Sequence, residues 1–267
     1  MPTSEWGDAF IFSADLSGQP SRPAASVPIN VAVVNPSYKD DESTLGHPDY
    51  TKIGRGFSAS LGADLDKVLI AKGLTTTGPF TSLDEITYSQ KKDAVLTLAP
   101  KVFVTAEIQY LGGSGGPGRP DPSRMMGLAA PGGFDPSQGV PNQRSVGMVM
   151  ERSFVMHVSG WVSFVMQEPL SGEKMWIKRL DLDSVEIRGV DIYGAAPIMV
   201  SNGCGGQAPS GFRNTGVLLF DGKTDALASA LKQMYPTVIN QFQKYLDADE
   251  MVALKAKVEE IRKAKVY

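Results

Sequence analysis

Gln167-Glu-Pro-Leu-Ser-Gly-Glu-Lys-Met-Trp176 separates two runs in which apolar residues alternate along the chain. The alternating apolar positions are Val162, Phe164 and Met166 before it, and Leu180 and Leu182 after it. A period of two is typical of a β-strand, and a segment with Pro and Gly between two such strands is typical of a turn. The sequence therefore predicts an antiparallel hairpin centred on residues 167–176.

Strand and helix patterns alternate before this hairpin. Residues 28–34 predict a buried strand, residues 37–49 a polar loop, and residues 51–72 an amphipathic helix. The tetrapeptide Ser82-Leu-Asp-Glu85 matches a capping box, which predicts a short helix directly after it. Further strands are predicted at residues 75–77, 94–98 and 102–110. The order strand, helix, strand, helix, strand indicates an α/β layer.

Two stretches rich in Gly and Pro, residues 112–146 and 194–214, are predicted as long loops. Between them lie strand-like runs at 147–166 and 175–182, and the first of these is read either as two strands or as one long strand. The last part of the chain, residues 223–265, has apolar residues at helical spacing and predicts C-terminal helices.

The predicted fold class is α/β (α+β), with a mixed sheet of five to seven strands. The amphipathic helix and the C-terminal helices should pack on this sheet, and Pro236 should kink the first C-terminal helix. Residues 1–26 are rich in Ser, Pro and Gly and predict an irregular arm, so residues 27–267 are expected to form a single domain.

Bulk composition restricts the classes of partner. The chain has 267 residues, a net charge of −3 and a pI near 5.5, which disfavours a nucleic-acid partner. The densest basic run, residues 255–265, is interleaved with Glu259 and Glu260 and is predicted as a solvated helix face. No segment has the length and apolarity of a membrane span, and no signal-peptide pattern opens the chain. Cys204 is the single cysteine, so an intrachain disulfide is excluded.

Residues that commonly carry catalysis are sparse. The two histidines, His47 and His157, have no metal-ligand spacing with any Cys or carboxylate, and Cys204 has no base beside it in sequence. The glycine run 112–118 lacks the Lys-Ser/Thr of a phosphate-binding loop. We therefore expect no catalytic residue, metal or cofactor. An enzyme would need His157, Cys204 and a carboxylate to converge in one pocket.

Three residues are candidates for ligand binding. Arg119 and Arg124 bracket a rigid Pro-Asp-Pro segment, and arginine engages carboxylates through two hydrogen bonds. This loop is predicted to bind an anionic sugar or an acidic partner, and a solvated turn kept open by prolines is the alternative. Trp176 would offer a stacking surface for a sugar or side chain, and a core position is its alternative.

Four collinear segments resemble the neuraminyllactose-binding hemagglutinin family of bacterial surface lipoproteins. They are Tyr88-Ser-Gln-Lys-Lys-Asp93, Arg119-Pro-Asp-Pro-Ser-Arg124, Gln167-Glu-Pro-Leu-Ser-Gly-Glu173 and the helical segment 223–246. The opening Val31-Ala-Val-Val-Asn-Pro36 fits the same pattern, so the resemblance covers roughly residues 28–265.

The resemblance implies an outer-membrane lipoprotein at the cell surface or on a flagellar sheath, which acts in adhesion without catalysis. Its implied partner is a host or cell-surface glycan or a protein receptor. Two features depart from the family. Ser123-Arg-Met-Met-Gly-Leu-Ala129 stands where the family has a lysine-rich run, and the family's lipid-bearing N-terminal cysteine is missing. Membrane attachment would therefore require a lipid anchor that this chain lacks.

A second function class remains open. The pattern of the first 110 residues also resembles the amino-terminal domain of TolB and related periplasmic assembly lipoproteins, which form rings or docking platforms. That likeness implies a homo-oligomeric envelope assembly protein as the alternative to an adhesin.

Overall fold

A computed structural model describes residues 12–14, 29–40, 48–111, 148–201 and 207–265 of the chain. In these residues the elements follow in chain order. They are β1 (Asn30–Val34), β2 (Ser37–Asp40), α1 (Pro48–Ala71), β3 (Thr75–Phe80), a 3-10 turn (Leu83–Glu85), α2 (Tyr88–Asp93), β4 (Leu96–Leu98), β5 (Lys101–Tyr110), β6 (Met148–Gln167), β7 (Lys174–Ser201), β8 (Gln207–Phe220), α3 (Gly222–Tyr245) and α4 (Ala248–Lys265).

The described strands form one mixed sheet, which confirms the predicted α/β fold class. Six strands follow the order β2-β5-β6-β4-β1-β3, while β7 pairs with β6 and β8. Strand β1 runs parallel to β3 and β4, β2 runs parallel to β5, and β4 is antiparallel to β6. The sheet has eight strands in the described residues, so the prediction of five to seven was too low.

Two compact units are built from this chain. The first contains Met1–Glu107, His157–Ile187 and Leu227–Tyr267, and the second contains Ile108–Met156 and Arg188–Ala226. Because β5, β6, β7 and α3 each contribute residues to both units, the division does not follow one boundary in the sequence. The prediction of a single domain over residues 27–267 stays a prediction.

Helix α1 supplies much of the core of the first unit. Its predicted apolar stripe is fully buried and consists of Ile53, Phe57, Leu61, Leu65, Val68 and Leu69. The Phe57 ring packs edge-on against Phe12 and Tyr235, at centroid distances of 5.2 and 5.5 Å. Each such side chain contributes about 1.5–3 kcal/mol by leaving water. The helical periodicity thus predicted both the element and its buried face.

The C-terminal helices cover the same face of the sheet. The apolar stripe of α3 within the first unit is buried, and the Phe242 ring lies 4.7 Å from that of Phe164 on β6. Pro236 lies inside α3, within the helix that the sequence predicted. Helix α4 buries Met251, Leu254 and Val258. Both helices were predicted, with a break near Asp247.

Three local predictions were wrong. The polar loop predicted at 37–49 contains β2, which pairs with β5. The loop predicted at 194–214 is mostly strand, because β7 continues to Ser201 and pairs with β8 from Gln207 onward. Backbone hydrogen bonds across this antiparallel ladder do not depend on side-chain type, so a composition rich in Gly does not exclude a strand.

The third correction concerns the short helix. The side chain of Ser82 makes no capping hydrogen bond, and only a 3-10 turn follows it. The capping box is formed by Thr87 and Gln90 instead, where the Thr87 Oγ1 accepts from the Gln90 backbone N–H at 3.3 Å. The Gln90 Oε1 accepts from the Thr87 backbone N–H at 2.9 Å. Reciprocal bonds of this kind satisfy two donors at the helix start, so α2 begins at Tyr88.

Candidate functional site

Most of the predicted chemistry-bearing residues lie outside the part of the chain that the structure describes. These residues are Arg119, Arg124, Cys204 and His47. The third ligand-binding candidate, Trp176, is described by the structure, and its side chain is 4% exposed. Its indole Nε1 has no hydrogen-bond partner in the described part of the chain, and the Lys178 Nζ lies 5.7 Å from its ring centroid. Burial therefore favours the core alternative for Trp176.

The open sheet face is the side of β5, β6 and β7 in the first unit that lies opposite the side packed against α3. Even-numbered residues such as Val104 and Phe164 are fully buried on the covered side. Because side chains alternate along a strand, odd-numbered residues point to the other side. We define the open sheet face by the residues of β5, β6 and β7 that lie there: Phe103, Thr105, Ser159, Trp161, Ile177, Arg179 and Asp181.

Three side chains on the open sheet face form a row across neighbouring strands. The Trp161 ring stacks on Phe103 with centroids 5.8 Å apart and an interplanar angle of 22°. The Arg179 Cζ lies 4.8 Å from the Trp161 ring centroid, which is a cation–π distance. The row therefore places a positive charge against an aromatic pair.

Asp181 fixes the orientation of the guanidinium. The Arg179 Nε donates to the Asp181 Oδ1 at 2.8 Å, and the two side chains are 56% and 76% exposed. The Nη atoms of Arg179 have no hydrogen-bond partner among the described residues. An exposed ion pair of this type contributes little to stability, about 0–1 kcal/mol. Because both side chains are exposed, this ion pair is accessible to a ligand.

Gly160 brings β5 and β6 close together beneath this row. A Cβ placed at Gly160 would collide with the backbone carbonyl oxygen of Phe103, so the close approach requires glycine. The hydroxyls of Thr105 and Ser159 lie 3.0 Å apart on the same face. Sequence inspection missed the row, although the alternation of Phe164 and Met166 already implied that Trp161 points the opposite way.

The hairpin turn is built around a buried carboxylate. Glu168 is fully buried, and its Oε2 accepts hydrogen bonds from the backbone N–H groups of Leu170 and Ser171. The Glu168 N–H donates to the Glu173 carbonyl at 2.9 Å, which closes the hairpin, while Gly172 supplies the φ of +70° that the turn needs. The segment predicted as a hairpin turn, residues 167–176, is thus closed by hydrogen bonds.

Arg262 of α4 completes the Glu168 site. Its Nε donates to the Glu168 Oε1 at 3.0 Å, and its Nη atoms donate to the carbonyls of Lys92, Lys91 and Ala94 at 3.0, 3.2 and 2.7 Å. Burial opposes ionisation of Glu168, but the hydrogen bonds from Ser171, Arg262 and Leu170 outweigh it, so the Glu168 pKa lies below its ordinary value. The basic run at residues 255–265 was predicted as a solvated helix face, and this prediction is wrong at Arg262.

The second unit contains its own buried ion pair. Asp191 is fully buried and accepts from the Lys223 Nζ at 2.9 Å and from the backbone N–H of Gly222 at 3.2 Å. The hydroxyls of Tyr110 and Tyr193 each lie 3.4 Å from the Asp191 Oδ2. Burial lowers the Lys223 pKa, but the hydrogen bond to Asp191 and the charge of Asp221 raise it above its ordinary value overall. The cluster holds the start of α3 and is a structural element.

A surface cleft of about 270 Å³ lies in the first unit, lined by Phe12, Ser13, Lys232 and Tyr235. The Tyr235 hydroxyl donates to the Asp64 Oδ2 at 2.8 Å, and burial followed by this bond raises the Tyr235 pKa. Within the described ranges, no three His, Cys, Asp or Glu side chains are grouped closely enough to hold a metal ion. No helix in those ranges has the length and apolarity needed to cross a membrane.

Comparison with known proteins gives a fold likeness. No known protein family matches the chain, and no curated protein matches it. A neuraminyllactose-binding hemagglutinin homologue from Helicobacter pylori has a similar structure, with a TM-score of 0.52 at 14% identity over 90% of this chain and 95% of that one. The two chains therefore share a fold at a distance.

Two further solved structures show weaker likeness. The PelC dodecamer from Paraburkholderia phytofirmans aligns with a TM-score of 0.25 at 13% identity, covering 81% of this chain and 92% of that one. A hypothetical protein from Chlamydia trachomatis aligns with a TM-score of 0.24 at 10% identity, covering 82% and 98%. Neither value is high enough to support an inference about this chain.

Proposed function

We propose that this chain is a non-enzymatic binding protein of a bacterial cell surface or outer membrane, which recognises glycans. The observation that carries the proposal is the fold shared with the hemagglutinin homologue, which extends over 90% of this chain. That neighbour is named for binding neuraminyllactose, a sialylated sugar. The collinear segments in the sequence, including the hairpin turn at Glu168, support the same assignment.

A glycan array tests this proposal. The full chain, labelled at a terminal tag, is applied to an array that contains sialylated glycans and their asialo counterparts. The proposal expects retention on sialylated glycans above the level on the matched neutral glycans. Absence of binding to every glycan on the array would refute glycan recognition.

A second candidate function is assembly through β8. Four consecutive apolar residues at its end are exposed, so apolar side chains lie on both faces of the strand. These residues are Val217, Leu218, Leu219 and Phe220, with exposed fractions of 57%, 39%, 57% and 41%. Runs of exposed apolar residues on soluble proteins commonly mark interaction surfaces. We infer that a second copy of the chain covers this run if the protein acts as an assembly component.

Native mass spectrometry separates the two candidates. A uniform oligomer that Leu219→Ser converts to monomer supports assembly, because the substitution removes apolar area from the exposed run. Ile177→Ser is the matched control, since Ile177 is also an exposed apolar strand residue, at 55%, but lies on the open sheet face. A monomer for the unmodified chain would eliminate the assembly candidate.

A further inference from the structure

We propose that the open sheet face binds the carboxylate-bearing sugar of a sialylated glycan, with Arg179 as the partner of the carboxylate. The ligand class rests on the proposed function. The location is independent of it, because it follows from the row of Phe103, Trp161 and Arg179. It also differs from the predicted binding loop at Arg119 and Arg124.

The guanidinium of Arg179 is held in position before any ligand arrives. One contact is with the Trp161 ring, 4.8 Å from the Arg179 Cζ, and the other is the 2.8 Å bond from Nε to Asp181. Asp181 occupies the Nε side of the guanidinium and leaves its outer edge, Nη1 and Nη2, available. That edge matches the two oxygens of a carboxylate and binds them through two parallel hydrogen bonds. A side chain fixed in advance loses less entropy on binding.

Apolar surface lies on both sides of this cation along the sheet. Phe103 and Trp161 are half-buried residues, and Ile177 is exposed two residues before Arg179 on β7. Sugar rings carry apolar C–H faces, and small-molecule sites combine such apolar contacts with a few placed polar groups. The hydroxyls of Thr105 and Ser159 supply polar groups on the same face.

The charge on the open sheet face is mixed. Exposed carboxylates at odd positions of β5 and β7 are Glu107, Asp181 and Asp183, and exposed cations are Lys101 on β5 and Lys39 on β2, which pairs with Phe103. Arg179 is the cation that contacts the aromatic pair. A carboxylate matches the outer edge of its guanidinium through two charge-assisted hydrogen bonds, whereas the hydroxyls of a neutral sugar carry no charge. A glycan with one carboxylate therefore fits this position.

Isothermal titration of the full chain with neuraminyllactose and with lactose tests the assignment. The unmodified protein should bind neuraminyllactose at least about tenfold more tightly than lactose, because lactose lacks the carboxylate. Arg179→Gln should weaken neuraminyllactose binding about tenfold or more and bring it to the lactose level. Arg179→Lys should fall between the two, because lysine keeps the charge and loses the two-bond geometry.

Lys178→Gln is the matched control. Lys178 is the next residue on β7, has the same charge and also lies near a tryptophan, but it points to the covered side, where its Nζ pairs with Glu250 at 3.2 Å. The control should bind neuraminyllactose like the unmodified chain. Equal thermal stability of the three Arg179 and Lys178 variants would show that each is folded.

The outcomes separate this inference from the proposed function. If the unmodified chain binds neuraminyllactose and Arg179→Gln binds it equally well, the open sheet face is not the site, although glycan recognition stands. If Arg124→Ala abolishes binding while Arg179→Gln does not, the ligand belongs to the predicted loop. If the unmodified chain binds neither neuraminyllactose nor any arrayed glycan, the proposed function itself is refuted.

Discussion

Replacing Arg262 with methionine should destabilise the first unit by about 3 kcal/mol. The change removes four hydrogen bonds, one to the fully buried Glu168 carboxylate and three to backbone carbonyls. Loss of one partner from a buried ion pair costs roughly 3–5 kcal/mol, because the other charge is left without compensation. The Arg262 side chain is 23% exposed, which places the expected cost at the lower end of that range.

Lys265→Met is the internal control. Lys265 lies on the same helix and pairs with Glu173 of the same hairpin at 3.5 Å, but these side chains are 45% and 52% exposed. Exposed pairs contribute about 0–1 kcal/mol, so the control should unfold close to the unmodified chain. Urea unfolding followed by circular dichroism measures both free energies.

The pH dependence gives a second readout. The Glu168 pKa in the folded chain is lowered from an ordinary 4.5, so its contribution to stability is present above pH 4.5 and is lost as the pH falls through the folded-state pKa. The stability difference between Arg262→Met and the unmodified chain should therefore shrink below about pH 4.5. Arg262→Met and Lys265→Met that unfold at the same urea concentration at pH 7 would refute the reasoning.

Two further predictions concern the other buried pairs. Lys223→Met should lower the free energy of unfolding by about 3 kcal/mol, because it leaves the buried Asp191 carboxylate without its cation; chemical unfolding checks this, and a change under 1 kcal/mol would contradict it. Tyr235→Phe should cost about 1–3 kcal/mol by removing the hydrogen bond to Asp64. Because the folded-state pKa of Tyr235 is raised, its hydroxyl stabilises the fold below pH 10, and this stabilisation is lost as the pH rises further. An alkaline unfolding titration should therefore show a steeper loss of stability in the unmodified chain than in Tyr235→Phe.

Much of the architecture was accessible from sequence because it rests on local periodicity. The helix predicted at 51–72 is observed as Pro48–Ala71, with its whole apolar stripe buried. The hairpin turn was placed correctly between Gln167 and Lys174. In both cases a repeat of 3.6 or 2 residues determines which face is buried, and that information is contained in a short window.

The errors arise where two local signals compete or where pairing overrides composition. Ser82 and Thr87 both begin motifs suited to a helix start, and the structure uses only the second. The Gly-rich residues after position 194 are strand because Ala195 pairs with Asn214 in the β7–β8 ladder. Cross-strand pairing between distant residues is not encoded in the composition of either segment.

The candidate site was not predictable for a related reason. Alternation places Trp161 and Arg179 on the same side of their strands, but it does not give the register that sets them 4.8 Å apart. Phe103 joins them from a strand far earlier in the chain. Sequence reasoning instead selected Trp176, which the structure buries. The side of the sheet on which a residue lies can be inferred from the alternation of apolar residues, whereas the residues that neighbour it depend on the order and register of the strands.

The measurement that tests the account most directly is a titration of nitrogen-15-labelled protein with neuraminyllactose, followed through the indole N–H signals. The chain has three tryptophans, so these signals are few. Glycan binding at the open sheet face predicts a progressive shift of the Trp161 indole signal and of the Arg179 Nε–H signal, with little change at the buried Trp176. Lactose at the same concentration should leave the Arg179 signal unchanged. Saturable binding of neuraminyllactose that moves neither the Trp161 nor the Arg179 signal would contradict the account.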